Sequence, residues 1–151
     1  MMRIVSKIWR LLPFQARLRI IRLTQPKFTV SVVAMILNDR KEVLILDHYI
    51  RPGASWGLPG GFIESDEDPE AAIRREINEE TTLDLSNVSL IRIRTVRKHI
   101  EILFLADSIG TVSLESAEIR DFGWFSKDSL PDGISVKQRN LVKHMFESHI
   151  T

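Results

Sequence analysis

The chain contains no cysteine among its 151 residues. That absence excludes disulfides, thiolate nucleophiles and Cys-ligated zinc, and it suits a reducing compartment. A cytoplasmic location is the expectation. Tyrosine occurs once, as Tyr49. No second histidine stands at ligand spacing from His99, so a His-metal centre is not expected. No apolar run is long enough to span a bilayer, because Lys7 and Arg10 break the one near the start. The same breaks argue against a secretory signal. Internal repeats and low-complexity tracts are absent too. Acidic residues are missing from one end only. Residues 1–27 carry seven bases and no acid, which leaves 14 bases against 20 acids for the rest. What remains is ordinary: 44% hydrophobic and 27% charged residues, as in one globular domain.

The most informative stretch is GLPGGFIESDEDPEAAIRREINEETTL, residues 57–83. Pro69 suits the first position of a helix, where its missing N–H is unpaired in any residue, and Asp68 before it is placed to cap. The pattern predicts a helix from Pro69 to about Thr81 with Ala72, Ile73 and Ile77 as its apolar stripe. Glu76, Glu79 and Glu80 then fall at i, i+3 and i+4, on one side of the cylinder. Like charges at that spacing repel by a few tenths of a kcal/mol each. A solvated acidic face is the simplest account of such a run. Arg74 and Arg75 inside it, and a close-approaching Pro59-Gly60-Gly61 turn upstream, favour a ligand site instead. Carboxylates with free carbonyls form a hard-oxygen site, suited to Mg²⁺ or Mn²⁺.

The order of these residues resembles the Nudix box, the signature of the Nudix hydrolases. That pattern is glycine, five residues, glutamate, seven residues, then Arg-Glu-apolar-any-Glu-Glu-any-Gly-apolar. Gly61, Glu67, Arg75, Glu76, Ile77, Glu79, Glu80 and Leu83 meet it. Thr82 departs, standing where the family has glycine. A β-branched residue tolerates positive φ poorly, so the helix is expected to end by another route here.

The remaining chain reads as an α/β protein. Residues 28–37 form a buried strand, 38–41 a turn, and 42–48 its partner strand. On the loop 49–56, Tyr49 and Arg51 could contact a base or a phosphate. Residues 88–96 alternate as a strand with one wet face, and 99–107 follow as another. His99 at that strand's start is an ordinary strand-end residue or a substrate contact. Residues 135–149 form the last helix, with Val136, Val142, Met145 and Phe146 inward. At the other end Ile4, Val5, Ile8, Trp9, Leu11 and Leu12 recur at helical spacing up to Pro13, and a basic-apolar run continues to Pro26. This extension, 1–26, could pack on the domain spanning 27–151 or on a twin subunit as a homodimer. It could also touch a membrane or nucleic acid.

The resemblance implies the αβα sandwich of the Nudix fold, with a mixed sheet, over roughly 27–148. It implies hydrolysis of a nucleoside diphosphate linked to a further group, giving a nucleotide and a phosphorylated product. ADP-ribose, nucleotide sugars and nucleoside triphosphates all fit. No proline lies between Leu83 and Pro131 and no tyrosine follows the box, so two subfamily markers for ADP-ribose and dinucleoside polyphosphates are missing. Glu76, Glu79 and Glu80 are the expected metal ligands, joined by the Gly61 carbonyl. Gly60 is a backbone contact for the metal or the substrate. Arg75 is expected to hold Glu79 or Glu67. Glu79 or Glu80 is the first candidate for general base, and Glu118 on a later loop is the alternative, with Glu115 behind it. Two other outcomes stay open: a 5′-end RNA pyrophosphohydrolase, and a ligand-binding regulator with little turnover.

Overall fold

The computed structural model describes residues 9–51 and 53–150. Ile4, Val5 and Ile8 lie outside that range. Residues 9–11 are helical, and after Pro13 a helix α1 spans Phe14–Thr24. The body follows as β1 (Thr29–Leu37), β2 (Val43–His48), β3 (Trp56–Gly57) and β4 (Gly60–Phe62). Then come α2 (Pro69–Thr81), β5 (Asp84–Val96), β6 (His99–Ile109), β7 (Ile119–Phe125) and α3 (Val136–His149). The seven strands form one mixed sheet.

Strand β1 shows why two helices cover this sheet. Its side chains alternate in direction, and both sets are apolar. Val32, Ala34 and Ile36 pack with Ala72, Ile73 and Ile77 of α2. Met35 and Leu37 pack on the opposite side with Val142 and Met145 of α3. The result is the expected αβα sandwich. Each fully buried Ile or Met contributes about 1.5–3 kcal/mol, so both helices are held by the sheet rather than by their own propensity. On α3, Ser135 caps the first turn by accepting from the Gln138 amide at 3.2 Å. Val136, expected inside, is instead exposed, because the inward stripe begins a turn later.

Two strand expectations need correction. β1 and β2 are antiparallel but meet only at Leu37 and Val43 beside their turn. Over its length β1 pairs in parallel with β6 and, at residues 31–33, with β4. β2 pairs with β7 instead. A tight turn joins neighbours in sequence, but both strands are buried enough to need partners on two sides, and their longest pairings, with β6 and β7, come from far along the chain. β5 is also longer than the alternation suggested. It starts at Asp84 and shifts register twice against β6, between Ser86 and Ser89 and between Leu90 and Arg92. Each bulge breaks the alternation of faces, which leaves Leu90, Ile93 and Val96 exposed rather than on one dry side.

The ends of α2 set the site's position. Pro69 occupies the first turn as expected, and Asp68 sits at the N-cap, but its side chain makes no capping bond. Only its carbonyl serves, accepting from the Ala72 amide at 2.9 Å. At the other end the structure overturns the expectation for Thr82. It adopts the left-handed conformation, φ 59°, that a glycine would take. Its amide donates to Asn78 at 2.8 Å. Burial of the next residue, Leu83, against the core holds the turn in place. The local cost is therefore overridden by packing, not avoided. Replacing Thr82 by Gly removes a strain of about 1–2 kcal/mol and adds unfolded-state entropy of somewhat less. Thr82→Gly is expected to raise the thermal midpoint by about 2–4 °C. A lowered midpoint would show that the threonine is unstrained.

Candidate active site

Arg75 is the hub of the site. It leaves the middle of α2 towards the loop that joins β4 to the helix. Its Nε and Nη2 donate to the two oxygens of Glu67 at 2.8 and 3.0 Å, a bidentate pairing. Nη1 donates to Glu76 at 3.0 Å and to Glu79 at 3.3 Å, and Nη2 also reaches the Phe62 carbonyl at 3.2 Å. Both pairings read from the sequence, with Glu79 and with Glu67, are therefore present together. Glu67 in turn accepts from the Glu64 amide at 2.9 Å, which closes the acidic loop on itself. The neighbouring Arg74 points elsewhere, to Glu70 and to the Leu85 carbonyl.

The carboxylates meet the backbone of β4. A side chain at Gly60 would stand 2.2 Å from the Val32 carbonyl, and Gly60 has φ 141°, so the strand passes at a distance only glycine permits. At Gly61 an added Cβ would lie 2.2 Å from the carboxyl carbon of Glu76. Glu76 thus lies flat on Gly61, largely dry. Burial pushes its carboxyl above the ordinary range, with Arg75 opposing and the Glu80 and Glu79 charges adding to the rise. Glu80 is buried and accepts from the Gly60 amide at 3.2 Å. Glu79 is mostly exposed, facing solvent beyond Arg75.

One neighbour of Glu80 was not anticipated. His48, at the end of β2, places Nε2 3.6 Å from Glu80, and its Nδ1 lies 3.3 Å from the Ser55 carbonyl. Its signal in the sequence was slight: the Asp47-His48 pair closing an otherwise apolar strand. Asp47 is buried and ion-paired with Arg120, which overrides the upward push of burial and holds its carboxyl below the usual range. That pair ties β2 to β7 and fixes where His48 emerges.

The other sequence-derived candidates are spread around this centre. The Arg51 guanidinium lies over Gly57, with Nη1 3.5 Å from His48 Nδ1. Burial lowers its pKa, while the charges of Glu80 and Glu101 counteract. Tyr49 is an exposed side chain whose amide donates to the Glu118 carbonyl at 2.9 Å. Glu118 therefore stands at the His48 end of β2, without touching the carboxylates of α2. Glu115 has no hydrogen-bond or ion-pair partner among the described residues. His99 has both ring nitrogens occupied, by Thr29 at 2.8 Å and Ser31 at 3.0 Å, and its edge meets Phe62. It reaches none of the carboxylates.

The donor set fits a hard divalent cation in chemistry: three glutamates of one helix side beside the Gly60-Gly61 backbone, with one carboxyl pressed flat on Gly61. Among the described residues no three His, Asp or Glu side chains already converge as a cage. Glu76 and Glu79 are turned to Arg75, and Glu80 to Gly60 and His48.

The Glu67 bonding has a measurable consequence. Arg75 and the Glu64 amide hold its carboxyl down at about 2. A depressed folded pKa adds stability above the unfolded value, about 4.3, which is lost as pH falls towards 2. The stability difference between wild type and Glu67→Gln is expected to be full above pH ~5, to shrink as pH falls, and to vanish only below pH ~2. A difference constant across that range would contradict the pairing.

Comparison with known proteins agrees with the box. The family model described as NUDIX domain matches residues 27–145. The NAD-capped RNA hydrolase NudC of Vibrio atlanticus is 30% identical over 127 residues, covering 81% of this chain and 47% of that protein. The ADP-ribose pyrophosphatase of Methanocaldococcus jannaschii is 34% identical over 108 residues, 68% of this chain and 64% of that one. The chain thus spans about half the length of the Vibrio relative. Among solved structures, the NUDIX domain of Shewanella oneidensis NrtR, crystallised with ADP ribose, superposes with a TM-score of 0.71. It covers 90% of this chain and 98% of its own at 19% identity, a likeness of fold. Residues that the box places in order along the chain are the ones that α2 and β4 bring face to face, and the chain belongs to the Nudix hydrolase family.

Proposed function

We propose that this chain hydrolyses a phosphoanhydride bond in a nucleoside diphosphate linked to a second group, using Mg²⁺, or Mn²⁺ in its place. The observation that carries the reading is the packing of Glu76 and Glu80 on the Gly60-Gly61 backbone, with Arg75 bonded to Glu76 and Glu79 beside them. A diphosphate and a carboxylate cluster are both anions, so neither approaches the other without a cation between them. Glu76, Glu79, Glu80 and the Gly61 carbonyl would hold it. When bound, such an ion shields the phosphate oxygens and lowers the pKa of water.

The chain's own groups do the rest. Arg75 keeps its grip on Glu67 and Phe62 while releasing Glu76 and Glu79 to the site, so the loop stays shut as the carboxylates turn. Glu80 is the foremost candidate to take a proton from water, because the Gly60 amide fixes one of its oxygens. Glu79 and Glu118 are the alternatives. Arg51, poised over Gly57 beside His48, is suited to a phosphate oxygen. Tyr49, exposed on the loop after β2, and His99 beside Phe62 are the further candidate substrate contacts. The names of the Vibrio and Methanocaldococcus relatives favour a substrate with an adenosine diphosphate linked to ribose, as in ADP-ribose. A second reading, action on a nucleotide-capped RNA 5′ end, is favoured by the first of those names.

The test is phosphate release, coupled to a phosphatase, over ADP-ribose, nucleotide sugars, dinucleoside polyphosphates, nucleoside triphosphates and capped RNA. One class is expected to dominate and to fall silent in EDTA. Glu80→Gln and Glu79→Gln should each slow turnover by roughly 10²–10⁴-fold with the thermal transition intact. Metal-independent turnover, or wild-type rates in both variants, would contradict the proposal.

A further inference from the structure

Helix α1 has no buried residue, and within it Phe14, Ile20, Ile21 and Leu23 are 63, 40, 44 and 78% exposed. Ala16, Arg17 and Leu18 are half-buried, but no residue of α1 belongs to either hydrophobic cluster of the described body. The charged residues of the helix are of one sign. Arg19 and Arg22 are exposed on the helix, Arg17 is half-buried with its Nε shielded from solvent, and the whole of residues 1–27 holds seven bases and no acid. The body is the opposite, with 14 bases against 20 acids. Among the described residues no helix is long and apolar enough to cross a membrane.

We infer that α1 is a docking element for an anionic lipid surface, with its arginines on the headgroups and one apolar side in the acyl boundary. The two properties of the helix point to one partner only when taken together. Nucleic acid would satisfy the guanidinium groups and leave Ile20, Ile21 and Leu23 in water, since bases stack on aromatic rings rather than on branched aliphatics. A second copy of α1 would bury the apolar side chains but set like charges against each other. An anionic bilayer takes both at once, and a helix of this kind lies in the plane of the interface. The acidic body is repelled by the same surface, so the charge asymmetry orients the molecule with α1 downward. Phe14 and Ile21, seven residues apart, share one side of the helix, and Ile20 and Leu23, three apart, share another. One of these two sides enters the lipid.

The experiment is flotation of the full chain with vesicles of phosphatidylcholine alone and of phosphatidylcholine mixed with phosphatidylserine. Binding is expected only to the mixed vesicles. The double variant Arg19→Gln, Arg22→Gln should weaken it about thirtyfold, at roughly fivefold per arginine. Of the double variants Phe14→Ser, Ile21→Ser and Ile20→Ser, Leu23→Ser, one should weaken it by about tenfold or more. All three variants should keep the wild-type thermal transition, because α1 contributes nothing to the core. Absence of flotation would overturn the inference, as would flotation indifferent to both apolar pairs. Salt-sensitive RNA binding without flotation, or a dimer abolished by these variants without flotation, would each overturn it in favour of that partner.

Discussion

The structure around the site depends on one guanidinium group. Arg75 draws Glu67, Glu76, Glu79 and the Phe62 carbonyl to itself, and so ties the acidic loop, the end of β4 and α2 into a single unit. Three glutamates on one side of a helix repel each other, and without a cation among them that repulsion would splay the side chains. The planar, always-charged group on the same helix supplies that cation internally. Five donors in a fixed fork can serve several carboxylates at once, as the single ammonium of lysine cannot. The repulsion between Glu76 and Glu79 is thereby offset by a group of the same helix.

The rest of the fold serves to bring β4 under that helix. β1 is apolar on both faces, which forces a helix onto each side of the sheet and puts α2 across β1 and β4. Glycine at 60 and 61 then lets the backbone pass against Val32 on one side and Glu76 on the other. A larger residue at Gly60 would press β4 off β1, and one at Gly61 would displace the Glu76 carboxyl. The interior is dry enough that Glu76 prefers its proton more than an exposed glutamate does.

Much of this was legible in the sequence because it depends on spacing within one helix and its flanking loop. The i, i+3, i+4 glutamates, Pro69 at the first turn and the apolar stripe of Ala72, Ile73 and Ile77 are all local facts. Where the outcome depended on distant partners, local rules misled. β2 does pair with β1 beside their turn, yet most of its length pairs with β7, Val43 standing opposite Phe125. Thr82 obeys the burial of Leu83 rather than its own torsional preference. His48 carries almost no signal, because its role arises only when β2 ends beside Glu80. The bulges of β5 are similarly invisible, since alternation in the sequence continues across them.

The claim at the centre of this account is that the carboxylates of α2 hold a divalent cation that Arg75 keeps a place for. Its most direct test is the binding of Mn²⁺, followed by the paramagnetic resonance signal of the free ion, in wild type, Glu76→Gln and Glu80→Gln. No substrate is needed, so the result stands apart from any question of specificity. Wild type is expected to bind the ion, and each variant to bind it roughly tenfold or more weakly, all with the same thermal transition. Equal affinity in the three proteins would contradict the account and place the cation elsewhere.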